Sequence, residues 1–331
     1  MSTLWILGRE DVRAALPMRD AIDAMKRAYA AYSSGQAQVP LRTRVDVPAH
    51  QGLALFMPAY VAGEEEALAL KAVTVYNQNP ARGLPLIHAG VLVLEPQTGQ
   101  VRGLLEGGTL TAIRTGAASG AATDVLARPD SRVLAVFGAG TQARSQIEAV
   151  CTVRPIERVW IYDVNRGRAE ALARDIAGQG PVPRDVRVAE SPQQAVAEAD
   201  VICTATTSST PVFRDQDLKP GVHINGIGAY TPEMAEVPPE TVQRALVVVD
   251  AYESAWAEAG DLIQPLQQGL ITKDHVYAEL GEIILGRKPG RTSPEQITFF
   301  KSVGLAVQDA VAAAVALRRA AELGLGQRVA W

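Results

Sequence analysis

Val133-Leu-Ala-Val-Phe-Gly-Ala-Gly-Thr-Gln-Ala143 is the stretch whose reading decides the fold class. Its first five residues form a continuous apolar run, the pattern of a strand buried on both faces. The next six fit GxGxxA, with Gly138, Gly140 and Ala143 in the small positions. Gly138 permits a tight turn through Ala139, Gly140 lets the backbone approach a pyrophosphate, and Ala143 allows close helix–sheet packing. A helix opening near Thr141 and Gln142 aims its unpaired N–H groups at a phosphate. A glycine pattern alone is a weak signal, but this one follows a strand and opens a helix, the context dinucleotide binding requires. A second strand ends at Asp163. A carboxylate there accepts from both ribose hydroxyls and repels a 2′-phosphate, which favours NAD. Asn165 and Arg166 follow directly, and an arginine in that place accommodates NADP. The cofactor is therefore NAD or NADP, with Asp163 tipping the balance to NAD.

Outward from this stretch, strands and helices alternate. Gln142–Val150 reads as a helix, Arg158–Tyr162 as a strand and Arg168–Ile176 as a helix. Val186–Val188 is a short strand, Pro192–Glu198 a helix and Val201–Thr204 a strand. Val222–Asn225 and Leu246–Val249 are further buried strands. This rhythm predicts an α/β fold with a doubly wound parallel sheet of Rossmann type.

The first 110 or so residues read differently, as α+β. A helix is predicted over Met18–Ser34, stopped by Gly35. Strands follow at Leu41–Val47, Leu53–Met57, Ala67–Tyr76, His88–Leu94 and Val101–Leu105, with hairpin-like spacing that implies an antiparallel or mixed sheet. Thr109–Ala127 is a helix rich in small residues, and Leu305–Leu323 an Ala-rich amphipathic helix. The last helix cannot bury its apolar face alone and is expected to pack back on the first domain. The expected division is 1–120 plus 305–331 for substrate binding and dimerisation, and 121–304 for NAD(P).

Composition removes other classes. Of 331 residues, 32 are Lys or Arg and 36 Asp or Glu, giving a net charge of −4. Such a balance argues against a nucleic-acid binder and against an electrostatic membrane anchor. No run reaches the roughly 18 apolar residues that span a bilayer. The best candidate, Val303–Leu317, is broken by Gln308 and Asp309. Two cysteines, Cys151 and Cys203, build neither a disulfide framework nor a CxxC site. With no basic, apolar leader at Met1, a reducing cytoplasm is the expected location. The four histidines have no metal-ligand spacing, so no metal is expected. His223 reads as structural and His88 as a core or barrel-face residue.

Lys71 shares a strand face with Val73 and Val75. A lysine there is either a snorkelling edge residue or a ligand for an anion. Arg114, within the small-residue helix, is either surface or functional. Arg42 is weaker on spacing, because Arg44 shares its strand face. Together such cations suit a small carboxylate, which an arginine fork grips with two bonds.

The motifs taken together resemble the ornithine cyclodeaminase/mu-crystallin family over nearly the whole chain. The resemblance is carried by Phe56-Met-Pro-Ala-Tyr60, by Leu70-Lys71 with Asn79-Pro-Ala-Arg-Gly-Leu-Pro85, and by Thr111-Ala-Ile-Arg-Thr-Gly-Ala117. Further segments are Phe137-Gly-Ala-Gly-Thr-Gln-Ala143, Gly221-Val-His-Ile-Asn-Gly-Ile-Gly228, Glu279-Leu-Gly-Glu-Ile-Ile284 and Phe300-Lys-Ser-Val-Gly-Leu-Ala306. The family holds NAD(P)-dependent cyclodeaminases, alanine dehydrogenases, cyclic ketimine reductases and a ligand-binding lens crystallin, most of them dimers joined through the N-terminal sheet. The resemblance implies that Arg42, Lys71 and Arg114 gather a substrate carboxylate, with Met57 and Val303 lining the pocket. It implies cofactor contacts from Arg114, from Gly138, Ala139, Gly140, Thr141 and Gln142, from Asp163, from Thr204 and Thr206, from Asn225, Gly226 and Ile227, and from Ser302.

Two departures refine it. Cyclodeaminases carry an Asp two residues after the glycine of their I-N-x-x-G motif, where this chain has Tyr230. They also carry a Glu two residues before the pocket methionine, where this chain has Leu55. Both acids that pair with a diamino acid are absent. Burying an unpaired ammonium costs several kcal/mol, so ornithine is disfavoured. A cyclic ketimine such as Δ1-pyrroline-2-carboxylate needs a cationic clamp and no acidic one. The expectation is a reduction to L-proline or L-pipecolate, with Lys71 or a water as proton source and Tyr230 a weaker candidate. Ornithine cyclodeaminase, alanine dehydrogenase and a non-catalytic crystallin-like protein are the alternatives.

Overall fold

A computed structural model of the chain describes residues 3–63 and 65–331. In chain order it begins β1 (Thr3–Leu7), α1 (Arg9–Ala15), α2 (Met18–Ser33), β2 (Ala37–Gln38), β3 (Thr43–Val47), β4 (Gly52–Val61), β5 (Ala67–Tyr76), β6 (Ile87–Leu94), β7 (Val101–Glu106) and α3 (Gly107–Leu126). It continues β8 (Val133–Phe137), α4 (Thr141–Val153), β9 (Arg158–Tyr162), α5 (Arg166–Ile176), β10 (Asp185–Val188), α6 (Pro192–Val196), β11 (Val201–Thr204) and β12 (His223–Gly226). Then come α7 (Pro239–Arg244), β13 (Leu246–Val249), α8 (Tyr252–Glu258), α9 (Gly260–Gln267), β14 (Val276–Glu279), α10 (Leu280–Ile284), β15 (Thr298–Lys301), α11 (Ala306–Leu323) and β16 (Gln327–Ala330). Two compact units result, Met1–Arg114 with Leu305–Trp331, and Thr115–Gly304. Among the described residues, no helix is long and apolar enough to cross a membrane.

The first unit is a mixed sheet ordered β16-β1-β7-β6-β5-β4-β2, with β3 also on β4. β4 to β7 form an antiparallel meander, β1 joins β7 in parallel, and β16 pairs antiparallel with β1. The predicted strand Leu53–Met57 is longer than expected because β4 runs on through Pro58. Proline survives there because β3 pairs with Gly52 to Phe56 and β2 with Tyr60 and Val61, so no outer strand asks Pro58 for an N–H. β3 starts at Thr43, not Leu41, which leaves Arg42 ahead of the strand and off the face of Arg44. Arg44 instead pairs with Asp46. On one sheet face, Met57, Ala59, Ala69, Lys71, Val91 and Leu105 are buried. The alanine-rich α11 packs on β4, β5 and α2. His88 stands exposed on the other face, so the core alternative for it is wrong.

The second unit is a parallel sheet ordered β10-β9-β8-β11-β12-β15-β13-β14. Its order reverses between β8 and β11, the switch point where open α/β sheets bind ligands at their carboxyl ends. β8 serves two cores, as a doubly covered strand must. Leu134 and Val136 pack with Ile147 and Val150 of α4, while Ala135 and Phe137 pack with Phe213, Ile224 and Phe299. β14 and β15 escaped the sequence reading; unlike the wholly apolar β13, each ends in a charged residue.

Candidate active site

In the first unit, β5 places Lys71 on the sheet face that α11 covers. Direct cross-strand pairing sets Met57 and Val91 beside it. The ammonium is only 3% exposed and lies 2.6 Å from Oδ2 of Asp309, in the first turn of α11. Arg114, from α3, donates through Nε to Oδ1 of the same carboxylate at 3.0 Å and through Nη1 to Oε1 of Gln308 at 2.9 Å. Gln308 is held in turn by the Leu305 N–H and donates to the Tyr29 hydroxyl. Arg42 is half-buried just before β3, and its charge acts on Lys71. The structure thus gathers Arg42, Lys71 and Arg114, which the sequence treated as separate candidates, and buries Arg114 where a surface position was one reading.

Burial pushes the Lys71 pKa down, Asp309 opposes this, and Arg114 and Arg42 reinforce it; the outcome is about 8. Burial pushes Asp309 up, but Arg114 and Lys71 outweigh it and hold the carboxyl below its usual range. One carboxylate paired with two cations leaves an excess of positive charge, the electrostatics of an anion site. Asp309 and Gln308 were missed as functional residues. Their one visible trace was a polar break in an apolar run, and the partners Lys71 and Arg114 lie far away in sequence. Around Lys71 the sheet face is otherwise apolar, with Leu55 and Val73 paired across β4 and β5.

In the second unit, the glycine loop adopts the geometry its sequence predicts. Gly138 has φ +94°, and a Cβ there would stand 2.7 Å from the Ala205 carbonyl oxygen. A Cβ at Gly140 would meet nothing within 4 Å. No protein atom requires a glycine at 140, so the bare backbone leaves room for a ligand at the α4 N-terminus, which has no side-chain cap. Gln142 Oε1 is buried there without a partner. The open space at Gly140 and the uncapped α4 N-terminus fit a dinucleotide pyrophosphate. Asp163 accepts from the Ala139 and Asn165 N–H groups, each at 2.7 Å, so one carboxylate ties the glycine loop to the end of β9. Asn165 caps α5 through the Arg168 N–H. The Arg166 guanidinium is paired with Glu170.

Several other residues expected near a cofactor are turned inward. The buried Asn225 side chain donates to Thr123 and meets His223, while the Gly226 carbonyl accepts from the Ser302 N–H and the Ile227 N–H donates to the Thr204 carbonyl. His223 is a buried structural histidine bonded to Thr298, with burial and Arg291 pushing its pKa down to about 3. Ser302 donates to Asp250, which also receives the Val303 and Gly304 N–H groups. Val303 packs partly buried on the second unit's core. Thr204 and Thr206 both donate to Glu236. Tyr230 is 47% exposed on the loop after β12. Among the described residues, no cluster of His, Cys, Asp or Glu could hold a metal ion.

A buried cationic cluster in one unit and a dinucleotide-type glycine loop in the other agree with the sequence profile that the chain matches. The profile of the ornithine cyclodeaminase/mu-crystallin family matches residues 4–323. The chain belongs to this family. It is 40% identical over 325 residues to the Δ1-pyrroline-2-carboxylate reductase of Bacillus cereus, covering 98% of this chain and 99% of that one. The structure is similar to that of Thermococcus litoralis Δ1-pyrroline-2-carboxylate reductase in complex with NADH and L-proline, with TM-score 0.93, 41% identity, and coverage of 98% of this chain and 100% of that one. It is also similar to an archaeal alanine dehydrogenase dimer with bound NAD, with TM-score 0.91, 33% identity and full coverage of both chains.

Proposed function

We propose that this family member is an NAD(P)H-dependent reductase of small cyclic ketimino acids, converting Δ1-pyrroline-2-carboxylate to L-proline and Δ1-piperideine-2-carboxylate to L-pipecolate. The observation that carries this reading is the buried Lys71–Asp309–Arg114 cluster on an otherwise apolar sheet face. Arg42, Lys71 and Arg114 hold the substrate carboxylate, and Met57 lines the apolar ring. When bound, the nicotinamide supplies a hydride, and the imine carbon becomes the product Cα. Lys71 Nζ supplies the proton. It is favoured over the half-exposed Tyr230, because an ammonium with a pKa of about 8 is protonated at neutral pH yet readily releases its proton. Holding the substrate in place accounts for most of the acceleration. The test is NADH and NADPH oxidation with both cyclic imines. Turnover of ornithine, or of pyruvate with ammonia, in place of the imines would overturn the reading. NADH binding without any turnover would make it a crystallin-like binding protein.

Asp163 at the end of β9, with Arg166 engaged by Glu170, supports NADH over NADPH. A lower KM for NADPH would reverse this preference. The outer sheet face exposes Val45, Phe56 and Leu104 and carries the cross-strand pair Leu70 and Leu92, beside Thr74 and His88. Exposed large apolar side chains grouped in this way support a homodimer; a monomer in light scattering would sink it. Buried free Cys151 and Cys203 support the reducing cytoplasm, and recovery of the protein from an exported fraction would contradict this.

Carboxylate binding should weaken above about pH 8, where Lys71 loses its proton, instead of near the ordinary 10.5. Dissociation constants for pyrrole-2-carboxylate, whose charge is fixed above about pH 6, will show this. A Lys71→Arg variant should lose the fall, and affinity in the native protein that stays flat to about pH 10 would refute the assignment.

A further inference from the structure

We propose that Glu236 is the positioning residue for the nicotinamide half of the cofactor, holding the loops after β11 and β12 in the one arrangement that receives it. The inference rests on the dinucleotide reading of the second unit.

Glu236 is fully buried and touches no solvent, so it can act on a ligand only through its neighbours. Its Oε1 accepts from the Thr206 N–H at 2.6 Å and the Thr206 hydroxyl at 2.7 Å. Its Oε2 accepts from the Thr204 hydroxyl at 2.9 Å and from the Gly228 and Ala229 N–H groups at 2.7 and 3.0 Å. Five donors from two loops therefore converge on one carboxylate. Three of the five are backbone N–H groups, which can only donate, and they reach both oxygens, so both oxygens accept. The loops close tightly around it, since a Cβ at Gly228 would lie 2.2 Å from the Thr206 carbonyl oxygen and 2.5 Å from Glu236 Oε1.

The carboxylate is also braced from behind. The Glu236 and Val237 N–H groups donate to Asp261 Oδ1 at 2.6 and 3.0 Å. Asp261 Oδ2 lies 2.9 Å from Lys301 Nζ at the end of β15, and both side chains are wholly buried. The Thr204–Thr206 segment in turn meets the glycine loop through Ala205 and Gly138. Thus Glu236 links the carboxyl ends of β11 and β12 directly, and reaches that of β15 through Asp261 and that of β8 through the Thr204–Thr206 segment.

The sheet order assigns the half of the cofactor. Asp163 stands at the end of β9, on the adenosine side of the switch point between β8 and β11. A dinucleotide crosses that point, so its nicotinamide half falls to β11 and β12. Removing the carboxylate should loosen this half and spare the other.

Binding of NADH and of ADP-ribose, which lacks nicotinamide, tests the assignment. In Glu236→Gln the amide nitrogen faces donors, and NADH affinity should fall about 10- to 100-fold. ADP-ribose affinity should change by less than about threefold. Glu236→Asp keeps the charge but shortens the reach, and should raise the ratio of the NADH to the ADP-ribose dissociation constant by a smaller factor. Should the Gln variant not fold, the same ratio in the Asp variant decides. Equal weakening of both ligands, or an unchanged ratio, overturns the proposal. A native protein that binds neither ligand would instead overturn the dinucleotide reading itself.

Discussion

Asp309→Ala is expected to cost about 3–5 kcal/mol of stability, because it leaves buried cations without their anion. Both Lys71 and Arg114 depend on that one carboxylate. Imine reduction should fall about a thousandfold, within the range found when one member of a buried, hydrogen-bonded charge pair is removed. Stability and turnover can be separated by adding Lys71→Met. The double variant Lys71→Met/Asp309→Ala removes the cation together with its counter-charge and puts an apolar chain in its place. It should regain much of the lost stability while remaining inactive. Thermal melts and kcat/KM across the four proteins of this cycle give the coupling directly. Additive stability losses would mean that the two groups do not interact. Activity in the double variant would remove Lys71 from the reaction.

The second large effect contrasts two glycines two residues apart. Gly138→Ala meets a positive φ and a carbonyl oxygen 2.7 Å from the new methyl. It should destabilise the protein by about 1–3 kcal/mol, the usual cost of such strain. Gly140→Ala meets open space at an ordinary φ of −85°. It should leave stability within about 0.5 kcal/mol of the native value. Both variants should lose NADH affinity for different reasons, Gly138→Ala because the loop is displaced and Gly140→Ala because a methyl group stands where the pyrophosphate approaches. A loss of about tenfold or more is expected for Gly140→Ala, roughly the 1.4 kcal/mol of one good phosphate contact. Melting curves without ligand, followed by fluorescence titration, separate the two causes. Native affinity in Gly140→Ala would place the phosphates elsewhere.

The parts of this molecule legible in its sequence are those written locally. β8, β9, β11 and β13 lie where apolar runs predicted them, because a strand covered on both faces admits almost nothing else. The glycine loop was legible because turn, phosphate approach and packing each demand a small residue at a fixed place. Lys71 stood out as a charge on an apolar strand face. Asp309 did not, because an acid in an alanine-rich helix looks like an interruption until its partners are folded against it. Glu236 was invisible for the same reason, since its five donors come from two separate loops. Arg42 was misjudged with Arg44 because the strand was started two residues early. The short elements β1 and β16 depend on pairing between the two ends of the chain, which no local pattern encodes.

That junction of the two ends has a consequence for biosynthesis. Lys71 and Arg114 leave the ribosome long before Asp309 does, with all of Thr115–Gly304 made in between. Until α11 emerges, the nascent N-terminal segment carries two cations meant for burial and no anion to accompany them. The middle of the chain, with its own sheet and core, is free to fold first, and the segments on either side close around α11 only once that helix has been made. A polypeptide stopped at Gly304 should therefore resist protease across Thr115–Gly304 while residues 3–114 are digested. Equal protection of both would show that the N-terminal segment matures without its final helix.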